Sequence, residues 1–297
     1  MMTNLISLAD LNRDEVLAIL DLAVDLKAQQ KAGREHRLLK GQSLAMIFEK
    51  PSLRTRVTFE TGMFQLGGHS LFLEFNVGER ESVPDLARNL ERWVDGIVAR
   101  THNHAAVVEM AEYASVPVIN ALTDALHPCQ VLADALTLQE HKGTLDGLRV
   151  AFVGDGNNMF ASWVNLAAHF EIDLTLVCPE GYALSGELDD NAKGEYRVCH
   201  ELREGVDGAD VVYTDVWTSM GQEAERETRL KTFMPYQVNA EVMGMAKPDA
   251  VFMHCLPAHR GEEVSNEVIE GKQSVVFDEA ENRLHVHKAV MVTLMKK

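Results

Sequence analysis

The stretch SLAMIFEKPSLRTRVTFETGMFQLGG, residues 43–68, decides the fold. Ser43 to Phe48 is a short apolar run that reads as a strand, and a polar loop follows. Residues Leu53 to Leu66 then read as a helix stopped by Gly67 and Gly68. That is one β–loop–α unit. Upstream, residues 12–30 place Val16, Leu17, Leu20, Val24 and Leu26 near a 3.6-residue period, and Asn12 with Glu15 has the form of a capping box, so the chain opens with an amphipathic helix. Downstream the same grammar repeats: helix at Ser82 to Trp93, strand at Gly96 to Ala99, strand at Val116 to Ile119, helix at Pro128 to Glu140. Strands that alternate with helices predict a mainly parallel sheet.

The polar segment HKGTLDGLR, residues 141–149, interrupts the pattern and marks a junction between domains at 1–141 and 142–297. Beyond it the alternation restarts, with strands expected at Val150 to Val153, Leu174 to Cys178, Val211 to Tyr213, Ala250 to His254 and Ser274 to Phe277. A last helix is expected near Glu279 to Met295, and the polar stretch Gly221 to Lys231 reads as a mobile surface loop. The fold class is α/β: two similar-sized domains, each with a mainly parallel central sheet flanked by helices.

Composition narrows the function classes. With 297 residues, 28 Lys+Arg and 45 Asp+Glu, the formal net charge is −17. Such a chain is a poor non-specific binder of nucleic acid or membranes, because that binding needs a basic surface; an anionic ligand must meet a local positive site. Cys129, Cys178, Cys199 and Cys255 lie far apart with no C-x-x-C pair, which fits a reducing compartment and argues against a disulfide scaffold or zinc ribbon. The opening MMTNLISLADLNRDEV has no positive region leading into an apolar one, and no segment approaches 18 uninterrupted apolar residues. The expectation is a cytoplasmic protein.

The charge of Phe48 to Arg56 is wrong for simple helix stability. Arg54 and Arg56 in the first turn oppose the macrodipole, which favours anions there by roughly 0.3–1 kcal/mol. Backbone N–H groups, the Ser52 and Thr55 hydroxyls and the guanidinium groups together make an oxyanion site. A serine cap followed by solvated arginines is the plainer alternative, and the full S-L-R-T-R string after a strand outweighs it. Arg100 projects where its strand ends. His127-Pro-Cys-Gln130 opens a helix with Pro at its favoured first position, putting an imidazole and an amide at another helix start. Open parallel sheets bind ligands outside the carboxyl ends of their strands, which is where these residues stand.

Val153-Gly-Asp-Gly-Asn-Asn-Met159 invites a dinucleotide reading, but the third glycine of G-x-G-x-x-G falls at Met159 and no ribose-binding carboxylate ends the next strand. Asn157 and Asn158 can instead bind a polar ligand or cap a helix. In Asp215-Val-Trp-Thr-Ser219-Met220-Gly221 the carboxylate suits an ammonium group, and the turn at Ser219 to Gly221 can offer N–H groups to a carboxylate: an α-amino acid clamp, with an Asx-turn as the alternative. His254-Cys255-Leu256-Pro257 ends another strand, with His259 close behind. No spacing there completes a tetrahedral metal set. Cys255 is either a buried inert thiol or a group touching substrate, and Arg283 is either a phosphate-side cation or one end of a helix-surface ion pair.

Taken in order, S-x-R-T-R at 52–56, Arg100, H-P-x-Q at 127–130, G-D-x-N-N at 154–158, D-x-x-x-S-M-G at 215–221, H-C-L-P at 254–257 and E-N-R at 281–283 resemble the carbamoyltransferases, and within them those that act on ornithine. The resemblance runs through nearly the whole chain. It implies carbamoyl phosphate held by Ser52, Leu53, Arg54, Thr55, Asn76, Arg100, His127, Gln130, Cys255, Leu256 and Arg283. It implies L-ornithine held by Asn158, Asp215, Ser219 and Met220, with Arg100, His127 and Cys255 at the reacting centre. It further implies a last helix that packs back on the first domain, a homotrimer with active sites between subunits, and no metal or organic cofactor. Two departures stand out. Leu53 replaces the usual threonine and leaves only its backbone N–H, and Asn76 stands where a glutamine, one methylene longer, reaches the neighbouring subunit's phosphate site. The expected cost is weaker phosphate binding at most. Relatives that use putrescine, N-acylornithine or aspartate, and a non-catalytic binding paralogue, are the alternatives.

Overall fold

Six residues from Ser43 to Phe48 form β1, and five of them are buried. A strand so uniformly apolar needs cover on both faces, which a parallel sheet with helices on each side provides. The computed structural model describes residues 2–218 and 223–296, and the chain divides into two units, residues 1–136 with 281–297, and residues 137–280.

In the first unit α1 (Arg13–Lys31), β1, α2 (Leu53–Gln65), β2 (His69–Glu74), α3 (Val83–Leu90), β3 (Gly96–Arg100), α4 (His104–Tyr113), β4 (Val118–Leu122) and α5 (Pro128–Lys142) follow one another. The sheet order is β2-β1-β3-β4, every pair parallel. One face is sealed by Val83, Leu86, Leu90, Val107 and Met110 packing on Ala45, Ile47, Ile97 and Ala99. In the second unit come β5 (Arg149–Val153), α6 (Asn158–Ala167), β6 (Asp173–Val177), α7 (Glu187–Asn191), β7 (Arg197–Cys199), α8 (Leu202–Val206), β8 (Val211–Thr214), α9 (Arg226–Phe233), α10 (Ala240–Met243), β9 (Val251–Met253) and α11 (Asn266–Ile269). Here the order is β7-β6-β5-β8-β9, again all parallel. Helix α12 (Val276–Met295) closes the chain. Its later turns belong to the first unit, where Asn282 Oδ1 accepts from Lys27 Nζ at 2.7 Å and Lys288 Nζ donates to Gln30 and Gln65 at 2.7 and 3.0 Å. No helix of the described residues is long and apolar enough to cross a membrane.

The α1 capping box is present, with Asn12 and Glu15 exchanging side-chain-to-backbone bonds. Its buried stripe is Val16, Ile19, Leu20, Ala23, Leu26 and Lys27, so Val24 falls on the exposed side. Three expectations are corrected. Ser274 to Phe277 is no strand: Ser274 makes one isolated bridge to Phe252 and the helix has begun by Val276, the three apolar residues Val275 to Phe277 being too short a run to tell a strand from a helix start. The strand placed at Val116 to Ile119 runs from Val118 to Leu122. Residues 226–231 of the supposed surface loop are helical, while Gly221 lies outside the described residues. Strand β2 and helix α4 had no clear sequence signal, the first because it is a half-exposed edge strand.

Candidate functional site

Both sheets reverse their strand order once, between β1 and β3 in the first unit and between β5 and β8 in the second. The loops on either side of such a point separate and leave a crevice at the carboxyl ends of the strands.

In the first unit Ser52 is the N-cap of α2, its Oγ accepting from the Thr55 N–H at 3.3 Å and donating to Thr55 Oγ1 at 3.1 Å. Arg283 Nη2 donates to the same Thr55 oxygen at 2.8 Å. With both lone pairs taken, the buried Thr55 hydroxyl can act only as a donor. Arg54 stands half-buried one residue earlier, and Arg100 is the buried last residue of β3. His127 precedes α5 and is 5% exposed. Burial, then the positive charge of Arg283, Arg100 and Arg54, hold its imidazole well below the usual histidine range, so the ring is neutral at pH 7. Gln130 is buried, with Nε2 on Asp134 at 2.9 Å. Three guanidinium groups around a neutral imidazole and a donor hydroxyl suit a dianion with an adjacent carbonyl oxygen.

Other expected residues stand elsewhere. Arg56 turns outward, pairs with Glu60 at 3.0 Å and lies over the Phe72 ring, so it is not part of this cluster. Leu53 is 73% exposed, and Asn76 is exposed with its amide on Glu79 at 2.7 Å.

In the second unit Asp215 follows β8 and is 7% exposed. Its Oδ2 accepts from Asn157 Nδ2 at 2.7 Å; its Oδ1 accepts from the Val216 N–H at 2.8 Å and from the Cys255 thiol at 3.1 Å. Asn157 is also the N-cap of α6, its Oδ1 accepting from Met159 and Phe160. One side chain thus caps the helix after β5 and orients the carboxylate after β8. Asn158 begins α6 and is half-buried. Ser219 and Met220 lie outside the described residues. Leu256 has φ +57°, a conformation that strains a branched side chain, and its N–H is held by His254 Nδ1 at 2.9 Å. Since His254 Nδ1 accepts, Nε2 carries the proton and donates to the buried Glu263 at 3.1 Å. The groups of Asp215, His254 and Cys255 are close enough to suggest a metal, but these hydrogen bonds occupy both His254 nitrogens.

Several working residues have no motif of their own. Glu49 accepts from the Val77 N–H at 2.6 Å and the His102 N–H at 2.7 Å, and buried Lys50 pairs with Asp124, so two charges in the F-E-K-P-S loop tie together the loops after all four strands. Asp155 pairs with Arg229, which also donates to the Trp217 carbonyl at 2.5 Å; burial is the main cause lifting the Asp155 carboxyl to about 6, against the pull of Arg229. A buried charge in a loop was the available signal, and burial is not visible in one sequence. Cys129, two residues after His127, is a core thiol pushed up to about 12 by burial.

Residues 3–140 match the aspartate/ornithine carbamoyltransferase carbamoyl-P binding domain, and residues 146–294 the Asp/Orn binding domain. The chain is 52% identical over 295 residues to the ornithine carbamoyltransferase of Chlorobaculum tepidum, covering 96% of this chain and 87% of that one. It is 52% identical over 305 residues to that of Methanobrevibacter smithii, covering 99% and 100%. Among solved structures, ornithine carbamoyltransferase from Pyrococcus furiosus superposes with a TM-score of 0.94 at 48% identity, covering 98% of this chain and 96% of that one. The Thermus thermophilus ornithine carbamoyltransferase gives 0.90 at 44%, covering both chains fully. Matched along both of its domains and at half-identity over nearly its full length, the chain belongs to the aspartate/ornithine carbamoyltransferase family.

Proposed function

We propose that this enzyme transfers the carbamoyl group of carbamoyl phosphate to the side-chain amine of L-ornithine, giving L-citrulline and phosphate. The observation that supports it most is that the chain carries two chemically distinct clusters, one in each unit: three arginines around a neutral His127 in the first, and Asp215 with the Cys255 thiol at 3.1 Å in the second. The first suits a phosphate ester of a carbonyl, the second an amine.

The neutral amine nitrogen attacks the carbonyl carbon, the tetrahedral intermediate collapses by breaking the carbon–oxygen bond to phosphate, and the proton lost by the attacking nitrogen passes to the departing phosphate. An alkyl amine titrates near 10.4, so only about one in a thousand is neutral at pH 7.4; Asp215 and Cys255 bind the ammonium form and steer its deprotonation. Arg100, His127 and the Thr55 hydroxyl stabilise the oxyanion, with the carbonyls of the 254–257 loop orienting the carbamoyl NH2. Pre-aimed donors in a dry site are usually the largest contribution in acyl transfer. Arg54, Arg283 and the α2 N-terminus receive the leaving phosphate. Ser52, the Leu53 N–H, Gln130 and Leu256 complete the carbamoyl phosphate contacts, and Asn158, Ser219 and Met220 those of ornithine.

Assembly is read as a homotrimer, with Asn76 reaching a neighbouring subunit. Leu53, Val57 and Phe64 form one stripe of α2 at 73%, 48% and 80% exposure, and Leu71 on edge strand β2 is 41% exposed. An exposed apolar stripe such as that on α2 marks a protein interface; Leu71 pairs with Ala45 and stands on the other face of the sheet from α2. Four free cysteines suit a reducing compartment, and the cytoplasm is the proposed location.

The test is citrulline formation from carbamoyl phosphate with L-ornithine, run beside aspartate, putrescine and N-acetylornithine, with phosphate release as a second readout. Citrulline from ornithine alone is expected. Turnover with another acceptor would overturn the roles of Asp215 and Ser219, and no turnover with any would favour a binding paralogue.

A further inference from the structure

Besides the Lys288–Gln65 bond at the end of α2, helix α12 meets the first turns of α2 through two rungs. Arg283 donates to Thr55 Oγ1 at 2.8 Å, and one turn later His287 Nδ1 lies 2.9 Å from Thr58 Oγ1. The Thr58 oxygen is 2.6 Å from the Arg54 carbonyl, which accepts the only hydroxyl proton. His287 Nδ1 is therefore the N–H donor of the second rung. The ring is fully buried, stacks on Phe59 at 3.9 Å between centroids, and is held neutral by burial and by Arg283. A threonine bonding back to the carbonyl four residues earlier is common in helices; a buried imidazole that locks the hydroxyl in that position is not part of that local pattern.

The spacing of the two helices is set independently. At Gly62 an added Cβ would lie 3.0 Å from Met291 Cε and 3.1 Å from Lys288 Cγ, so side chains of α12 pack directly on the α2 backbone there. With the last turns of α2 packed in this way, the two rungs fix the rotation and axial register of its first turn, where Arg54 departs.

We propose that His287 is a positioning residue for the phosphate grip, acting through Thr58 on the Arg54 carbonyl. This rests on reading the first unit as the carbamoyl phosphate half. The test compares Thr58→Val, Thr58→Ser, His287→Phe and the Thr58→Val/His287→Phe double variant. Calorimetry gives the Kd for inorganic phosphate, and steady-state kinetics give KM for carbamoyl phosphate and kcat. T58V and H287F are expected to raise both Kd and KM about 5- to 10-fold, the loss of one hydrogen bond, with kcat at saturation within about 2-fold. T58S is expected within about 2-fold of wild type, and the double variant no worse than either single one, since both break one chain of bonds. An unchanged phosphate Kd with only a lower Tm would overturn the proposal, as would fully additive losses. If H287F does not fold, the contrast between T58V and T58S decides. If the wild type makes no citrulline, the functional reading fails, while the phosphate Kd series still tests the rung.

Discussion

His127 is enclosed among three arginines, so its neutral form is the one present in the fold at pH 7. In the unfolded chain it protonates near 6.5; the native state binds fewer protons below that pH, and stability from this group is present above 6.5 and lost as pH falls. The kcat–pH profile should therefore show no limb near 6.5 from His127. His127→Gln should lower kcat about 10²- to 10³-fold, the usual cost of one oxyanion donor, and a kcat within 2-fold of wild type would remove it from the reacting centre. Arg54→Gly should abolish turnover with the circular dichroism spectrum intact. Cys255→Ala should lower kcat and raise KM for ornithine; an unchanged rate and pH profile would mean the thiol only packs.

At the scale of elements, α6 carries two tasks on one residue. Asn157→Ala removes its cap, about 1 kcal/mol, and also the 2.7 Å bond that orients Asp215. Asn157→Ser keeps a cap but falls short of Asp215. Both variants should raise KM for ornithine, and only the alanine should lower Tm by several degrees, read by calorimetry beside the kinetics. The preceding Gly156 leaves no room: a Cβ there would lie 2.7 Å from the Leu184 nitrogen and 2.8 Å from the Ala183 carbonyl carbon. Gly156→Ala should cost about 1–3 kcal/mol as an overpacked site. The neighbouring Asp155 titrates at about 6 instead of 3.8. Between pH 6 and 4 the native state holds a proton that the unfolded chain has lost, so lowering the pH through that window adds stability through this group. The difference in Tm between wild type and Asp155→Asn, followed over pH 4–7, should shift in that direction.

For the whole molecule, a chain of net charge −17 must gather its cations to hold an anionic substrate. Arg54, Arg100 and Arg283 do so around His127. The apolar stripe on α2 belongs to the same scale. Sedimentation equilibrium should give three times 33.0 kDa for the wild type, and Val57→Glu with Phe64→Glu should shift the mass toward one subunit; a monomeric wild type would contradict the trimer.

What the sequence determined by itself was what is local. Periodicity and cap residues set α1, β1 and α2, because a helix start or a fully apolar strand is decided by neighbours within a few residues. The ordered motifs likewise carried the family. What tertiary structure alone decided was which polar groups are buried together. Arg56 and Arg54 are two residues apart in one motif, yet one pairs with Glu60 outside while the other stands with His127. Glu49, Asn157 and His287 acquire their tasks from partners 28, 58 and 229 residues away. The apolar run from Val275 became a helix start for the same reason, since a short apolar segment takes its conformation from what surrounds it. Burial converts an ordinary polar side chain into an obligatory hydrogen-bonding partner, and burial is a property of the folded chain.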